Sequence, residues 1–175
     1  MKKLLGITCL VIGLILTTHI NSFAQQGNIS LGGGLMYGSG AGGSQSSLNN
    51  DLGLMIDGYY TITDKIRAGA GFGYFFPKSE GAGDFTVSEF NLNGHYLFLN
   101  ELAYNVYGLA GINITSLKVE SGGFSFSTSE TGLNIGVGGE YGMGFGNLFG
   151  ELKYAGLGGQ ADELVLGAGV RFIVN

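Results

Sequence analysis

Residues 65–76 read KIRAGAGFGYFF, with an apolar side chain at every second position. Successive side chains of a β-strand point to opposite sides, so this alternation predicts a strand with one apolar face. A helix would repeat its apolar residues about every 3.6 positions, and no such period is present. The apolar face carries Ile66, Ala68, Ala70, Phe72, Tyr74 and Phe76, and the other face carries Lys65, Arg67, Gly69, Gly71, Gly73 and Phe75.

The same alternation occurs in eight runs, at residues 28–38, 52–62, 65–76, 89–98, 104–114, 133–141, 148–154 and 163–174. A strand that crosses a bilayer at a tilt needs about 9–11 residues, whereas a helix needs about 20 apolar ones. The pattern therefore predicts an all-β protein, a transmembrane up-and-down antiparallel β-barrel of eight strands. The connections 38–51, 77–84, 118–129 and 156–162 are longer and rich in Gly and Ser, as external loops are. Phe124 and Phe126 continue the alternation into the third of them, which leaves its boundary open.

Residues 1–24 have the composition of a secretory signal peptide. Lys2 and Lys3 precede an apolar core of about 13 residues, too short to span a membrane, and Ser22 and Ala24 fit a cleavage site after Ala24. Residues 25–175 then form one barrel domain without cysteine, because the single Cys9 is removed. Both ends of an even-stranded barrel with short periplasmic turns are expected on the periplasmic side.

The charge of the chain argues against nucleic acid as a partner. Removing Lys2 and Lys3 leaves six bases against thirteen acids, a net charge of −7. Most of the excess acid belongs to turns and loops, where it could engage divalent cations that bridge lipopolysaccharide phosphates, or basic external proteins. No loop has the ligand spacing of an EF-hand, and the glycine-rich runs lack the following helix of a phosphate-binding loop, so no metal or cofactor is expected.

Glycines and aromatic residues indicate which face meets lipid. A soluble barrel of the lipocalin kind would also alternate, but with its apolar face turned inward. Glycine weakens a strand, yet a narrow lumen has room for little beyond small side chains. The polar face carries Gly53, Gly69, Gly71, Gly73, Gly111, Gly136, Gly138, Gly167 and Gly169, and the apolar face carries aromatic residues near the run ends, as in interfacial girdles.

The signal peptide, the eight runs and the closing segment 164–175 resemble the small outer-membrane barrel proteins of the OmpA/OmpX type. That family usually ends on an aromatic residue, whereas this chain ends Phe172-Ile173-Val174-Asn175. The resemblance implies insertion into the outer membrane of a Gram-negative bacterium, contact with its lipid and lipopolysaccharide, and recognition of the last strand by the barrel-assembly machinery. It implies no single activity.

Ten ionisable residues on the lumen face are the candidate site, and we expect them to form a polar network: Asp57, Lys65, Arg67, Glu89, His95, Glu140, Glu151, Lys153, Glu163 and Arg171. Charges confined in a narrow interior must pair, so this nearly balanced set favours a hydrogen-bonded plug over an open ion path.

His95 is the only histidine after residue 24 and therefore the only ready general base. Lipid-modifying barrel enzymes place a serine and an acid beside such a histidine, whereas Ser88 and Glu89 lie six or more positions away. The sequence therefore predicts a non-enzymatic barrel that acts structurally or through its external loops. A narrow porin-like channel or a carrier for small apolar compounds is the alternative, and a lipid-modifying enzyme the third interpretation.

Overall fold

The computed structural model describes residues 26–40, 51–80, 83–101, 103–159 and 162–174. The predicted signal peptide and residues 41–50 of the first connection lie outside this part of the chain. The described residues form nine strands: β1 (Ile29–Gly40), β2 (Asp51–Thr63), β3 (Ile66–Phe75), β4 (Lys78–Glu80), β5 (Gly83–Asn100), β6 (Tyr104–Ser121), β7 (Phe124–Gly142), β8 (Asn147–Leu157) and β9 (Glu163–Val174). Among the described residues, no helix is long and apolar enough to cross a membrane.

The strands form a closed antiparallel barrel of eight members, as predicted. Each strand of the ring pairs with the next one along it, β3 with β5 across the short β4, and β1 closes the ring on β9, with Ile29 opposite Val174. The remaining strand, β4, is not a member of the ring. It continues β3 after Pro77 and pairs with the outer end of β5. The start of β1 and the end of β9 therefore lie at the same end of the barrel as the short turns after β2, β5 and β7.

Side chains alternate between the two sides of the wall as the sequence predicts. Ile56, Tyr60 and Leu92 are exposed on the outside, whereas Met36 and Tyr107 are buried inside. An apolar exterior around a polar interior inverts the arrangement of a soluble barrel, and it suits a surface in contact with lipid. The prediction that the apolar face points outward is confirmed.

Two predicted connections are strand in the structure. Residues 78–80 and 83–84 of the connection 77–84 belong to β4 and β5. The predicted loop 118–129 is the tip of a long hairpin, in which β6 and β7 stay paired up to Ser121 and Phe124. Gly122 and Gly123 have φ angles of 56° and 85°, which a tight two-residue hairpin turn requires at both positions.

The polarity of this hairpin reverses along its length. Up to Ile114 the outward side chains of β6 are apolar, but beyond it they are Ser116, Lys118 and Glu120. On the inward-facing side, the polar residues give way to Leu117 and Val119. The alternation thus continues with its faces exchanged, so the apolar outer surface of the barrel ends near Ile114 and the sheet beyond it is polar on the outside.

Candidate functional site: the filled lumen

Arg171 is the centre of the lumen. It reaches in from β9 and is 1% exposed. Its guanidinium contacts carboxylates from three strands: Asp57 Oδ2 at 2.7 Å, Glu140 Oε1 at 2.7 Å and Glu151 Oε2 at 3.4 Å. It also donates to the Tyr107 hydroxyl at 2.9 Å, which in turn donates to Glu151 at 3.0 Å. The guanidinium fork suits this role because its donors point in fixed directions toward several acceptors.

Arg67 and His95 extend the cluster on the side of β3 and β5. Arg67 bonds to Glu140 through Nη2 and donates from Nε to His95 Nδ1 at 3.0 Å. The imidazole lies between two tyrosine rings, with centroids 4.2 Å from Tyr59 and 4.3 Å from Tyr107. Both arginines also lie over these rings, a favourable cation–π arrangement. Aromatic faces and carboxylates together surround the two buried cations.

A second polar layer lies toward the outer end. Lys153 Nζ is 2.7 Å from Glu89 Oε1, and both side chains are buried. The Asn113 amide donates to Glu89 and to Asn91, so the ion pair continues into an amide network. That network comprises Asn91, Asn93, Asn113, Asn134 and Thr115, with donor–acceptor distances from 2.6 to 3.2 Å. Buried polar groups in the lumen are thus largely satisfied by one another.

A buried apolar cluster covers the polar layers at the outer end of the lumen. It comprises Met36, Phe75, Val87, Ala155 and Val165, from five different strands. A smaller cluster of Leu97, Tyr107 and Leu109 packs on β5 and β6 beside the ionic layer. Ionic, amide and apolar layers thus fill the interior, which is the packing expected when only eight strands surround it.

The structure brings eight of the ten predicted luminal residues into these two polar layers: Asp57, Arg67, Glu89, His95, Glu140, Glu151, Lys153 and Arg171. Lys65 does not belong to the set, and that prediction is wrong. It lies exposed in the turn after β2, where its backbone N–H donates to Thr63 Oγ1. Glu163 lies half-buried at the outer mouth, next to Gly38 and away from the ionic layer.

The sequence reasoning left out the uncharged part of the network. Tyr59, Tyr107 and four asparagines hold or separate the charged groups. The sequence contained a signal for them. Each lies two positions from another inward-facing residue on the same strand, so the alternation places it in the lumen as well. The predicted set was limited to acids, arginine, lysine and histidine, which excluded tyrosine and asparagine.

The surroundings of His95 do not provide the partners of a hydrolytic centre. The lone pair on Nδ1 is occupied by Arg67, and Nε2 has no hydrogen-bond partner within the described residues. Ser88 lies on the opposite face of β5, an odd number of positions away. The ring is 2% exposed and enclosed by tyrosines, out of reach of an acyl chain in the bilayer.

Outside the barrel wall the described charged groups are mostly acidic. Lys118 and Glu120 form an exposed pair at 2.8 Å, and Asp162 accepts a hydrogen bond from the Tyr154 hydroxyl at 2.5 Å. Among the described residues there is no group of three or more side chains placed to hold a metal ion.

No family model matches this sequence, and no curated protein sequence matches it. Solved structures do. Ail of Yersinia pestis, in complex with the heparin analogue sucrose octasulfate, is 22% identical, with 85% of this chain and 100% of that chain covered at a TM-score of 0.57. Neisserial surface protein A is 18% identical over 82% and 96% of the two chains, with a TM-score of 0.66. The outer membrane protein OprG of Pseudomonas aeruginosa is 15% identical over 87% and 98%, also at 0.66. At these identities the likeness establishes the fold, that of the small outer-membrane β-barrels.

Proposed function

We propose that this chain, which has the fold of the small outer-membrane β-barrels, is a non-enzymatic barrel with a sealed lumen that acts through its surface outside the membrane. The observation that supports this most strongly is the contact of Arg171 with carboxylates from three different strands. Such contacts tie opposite sides of the wall together across the lumen. An open ion path would need the same groups separated and hydrated.

Placement in the outer membrane, with both chain ends on the periplasmic side, is part of the proposal. The apolar exterior supports the membrane, and the shared end of β1, β9 and the short turns supports the orientation. The long hairpin of β6 and β7 then projects to the outside. In this proposal the barrel holds the protein in the membrane. The side chains that fill its lumen stabilise the fold and do not form a transport path.

The sulfated ligand of Ail is not carried over to this chain. Sucrose octasulfate is strongly anionic, whereas the described charges near the outer end here are Asp84, Glu120, Glu130, Asp162 and Glu163 against Lys118. Like charges repel, so such an acidic rim favours cationic partners.

Conductance across a planar bilayer tests the sealed lumen. We expect the wild-type protein to give no sustained single-channel current, because paired charges fill the lumen and an apolar cluster covers them at the outer end. Glu89 and Lys153 form the ion pair of the outer layer, and replacing both by alanine removes side-chain volume from it. We expect the double variant E89A/K153A to admit a measurable leak of ions.

The matched control is the exposed pair of the same chemistry, Lys118 and Glu120, replaced by alanine in the same way. Its traces should equal those of the wild type, and a heat-dependent shift in gel mobility should show that all three proteins are folded barrels. Sustained current through the wild-type protein would overturn the sealed lumen and favour the narrow channel. Uptake of a small apolar compound into proteoliposomes above that of empty liposomes would favour a carrier.

A further inference from the structure

His95 accepts a hydrogen bond inside the lumen, and that bond determines where the ring carries its hydrogen. Its Nδ1 lies 3.0 Å from Nε of Arg67, a nitrogen that always carries a hydrogen. Nδ1 must therefore be the acceptor, with a free electron pair. A neutral imidazole has one such nitrogen and carries its hydrogen on the other. The contact thus selects the neutral ring with its hydrogen on Nε2.

The hydrogen on Nε2 has no acceptor among the described residues. Nε2 is buried without a hydrogen-bond partner, and the ring is enclosed between Tyr59 and Tyr107. No described carboxylate is therefore placed to stabilise a positive charge on the ring through a hydrogen bond.

Two cations share the tyrosine rings that enclose His95. Cζ of Arg67 lies 4.7 Å from the ring centroid of Tyr107, and Cζ of Arg171 lies 5.0 Å from that of Tyr59. A positive charge on the imidazole would thus be added beside two guanidinium groups, and like charges in a buried site repel one another strongly.

The acids of the two polar layers are bonded to these cations and not to the imidazole. Glu140 contacts both arginines, and the strand β1 contributes only Ser30, Met36 and glycines to the inward side. The titratable groups of the two layers around the ring are Asp57 and Tyr59 of β2, Arg67 of β3, Glu89 of β5, Tyr107 of β6, Glu140 of β7, Glu151 and Lys153 of β8, and Arg171 of β9. Among them, only Arg67 is hydrogen-bonded to His95.

Acid would act on this hydrogen bond directly. The free electron pair of the neutral ring is the one that Arg67 uses, so a second ring hydrogen has to be added at Nδ1. Two N–H groups would then face each other. Arg67 would keep its bond from Nη2 to Glu140 but lose the one from Nε. It is the second residue of β3, next to the exposed Lys65 of the preceding turn, so its long side chain can turn toward the inner mouth.

We propose that His95 is an acid-sensitive latch on Arg67. A proton taken up at Nδ1 breaks the bond to Arg67 Nε, releases the guanidinium from the ring and loosens the ionic layer at its inner end. The latch goes beyond the proposed function, because it adds a condition, acidity, under which the filled lumen is weakened.

The latch makes the stability of the barrel depend on pH in one direction. A histidine in an unfolded chain has a pKa of about 6.5 and takes up a proton below it, whereas the latched ring holds none at Nδ1. The unfolded state then binds more protons, so stability is highest above about pH 7 and falls toward about pH 5. Over this range the equilibrium constant for unfolding rises by about 25-fold if only the unfolded chain takes up the proton.

The variant H95Q tests the latch, because a glutamine side-chain carbonyl can accept a hydrogen bond from Arg67 Nε and takes up no proton. Urea titration of both proteins in lipid vesicles, at about pH 7 and about pH 5, gives the equilibrium constants. The acids of the lumen are common to the two proteins, so their titration cancels in the comparison. We expect the rise on acidification to be about 10- to 25-fold larger for the wild type than for H95Q.

N91Q is the matched control. It changes a buried amide on the same face of β5 and leaves His95 in place. It lowers stability at both pH values, but its rise on acidification should equal that of the wild type. A rise in H95Q as large as in the wild type would overturn the latch.

Nitrogen NMR observes the ring itself and needs no change at His95. In an H19Q background His95 is the only histidine, so labelling with ¹⁵N reports its two ring nitrogens. Near pH 7 we expect a hydrogen on Nε2 and none on Nδ1. When the pH is lowered until both nitrogens carry one, the hydrogen on Arg67 Nε should exchange faster with water.

A hydrogen on Nδ1 near pH 7 would contradict the latch, as would a doubly protonated ring beside an Arg67 hydrogen that still exchanges slowly. Conductance at neutral pH is a separate measurement. Current through the wild-type barrel would refute the sealed lumen and leave these comparisons between pH values intact.

Discussion

At the scale of single residues, Arg171 has the largest consequence for stability. It is fully buried and is the shared partner of Asp57, Glu140 and Glu151. A buried ion pair adds little net stability relative to apolar packing, but loss of one partner leaves a charge buried and uncompensated. The cluster should therefore tolerate change at Arg171 poorly.

We predict that R171M lowers the free energy of unfolding by about 3–5 kcal/mol, because Glu140 would keep only Arg67 while Asp57 and Glu151 would lose their contact with Arg171. Urea titration of the protein in lipid vesicles, followed by gel mobility, measures this. K118M is the control: its exposed pair with Glu120 should contribute no more than about 1 kcal/mol. Equal losses in the two variants would contradict the central role of Arg171.

The position of Arg171 was predictable from the sequence, but its partners were not. Period-two alternation placed it on the inward face, as it did for Asp57. That the two side chains meet, however, depends on ring closure, since they are 114 positions apart in the chain. For Lys65 the predicted position itself was wrong. It lies in the turn just outside β3, where the alternation between the two faces no longer applies.

At the scale of the element, β3 shows why the inward face is rich in glycine. A Cβ atom at Gly69 would overlap the backbone oxygen of Gly58 and lie 2.6 Å from Cδ1 of Tyr59. At Gly71, two residues along the same face, the closest atoms would be 3.3 and 3.4 Å away. Neighbouring strands thus approach β3 more closely at Gly69 than at Gly71, and Tyr59 fills the space that the missing side chain leaves.

We predict that G69A destabilises the barrel by about 1–3 kcal/mol, the usual cost of overpacking, and that G71A changes stability by less than about 1 kcal/mol. The temperature at which gel mobility shifts from the folded to the unfolded position compares them. The two variants add the same methyl group to the same face of one strand. A larger loss for G71A would contradict the packing described here.

The strands within the apolar belt were easier to predict than those above it. Runs such as 65–76 combine strict alternation with a constant polarity of each face. Beyond Ile114 the alternation persists while the faces exchange, whereas the Gly and Ser content of residues 118–129 predicts a loop. Gly122 and Gly123 were the signal for a hairpin, but glycine is so frequent in this chain that the pair did not stand out.

At the scale of the whole molecule, the exchange of faces locates the outer limit of the apolar belt. On β7, Ile135 and Ser127 both point outward and both are exposed, Ile135 by 58%. On the proposed membrane placement, lipid covers Ile135, whereas Ser127 lies beyond the exchange and faces water. Both side chains are accessible in the protein alone, but only Ser127 should stay accessible to water once the barrel is in a membrane.

We predict that, in a Cys9→Ser background, a membrane-impermeant thiol reagent labels S127C in intact vesicles and leaves I135C unlabelled. Detergent solubilisation followed by unfolding should make both cysteines reactive, which controls for intrinsic reactivity. Labelling of I135C at the rate of S127C would show that the apolar exterior is not covered by lipid and would remove the basis for membrane placement.

Ring closure between β1 and β9 also couples the wall of the barrel to its contents. Arg171 belongs to β9, the last of the described strands, whereas Asp57, Glu140 and Glu151 belong to earlier ones. The strand that closes the wall therefore also brings the cation that these interior acids contact. Without β9 the wall would keep unpaired edges, and Asp57 and Glu151 would lose their contact with Arg171, so closure of the wall and neutralisation of its contents depend on one strand.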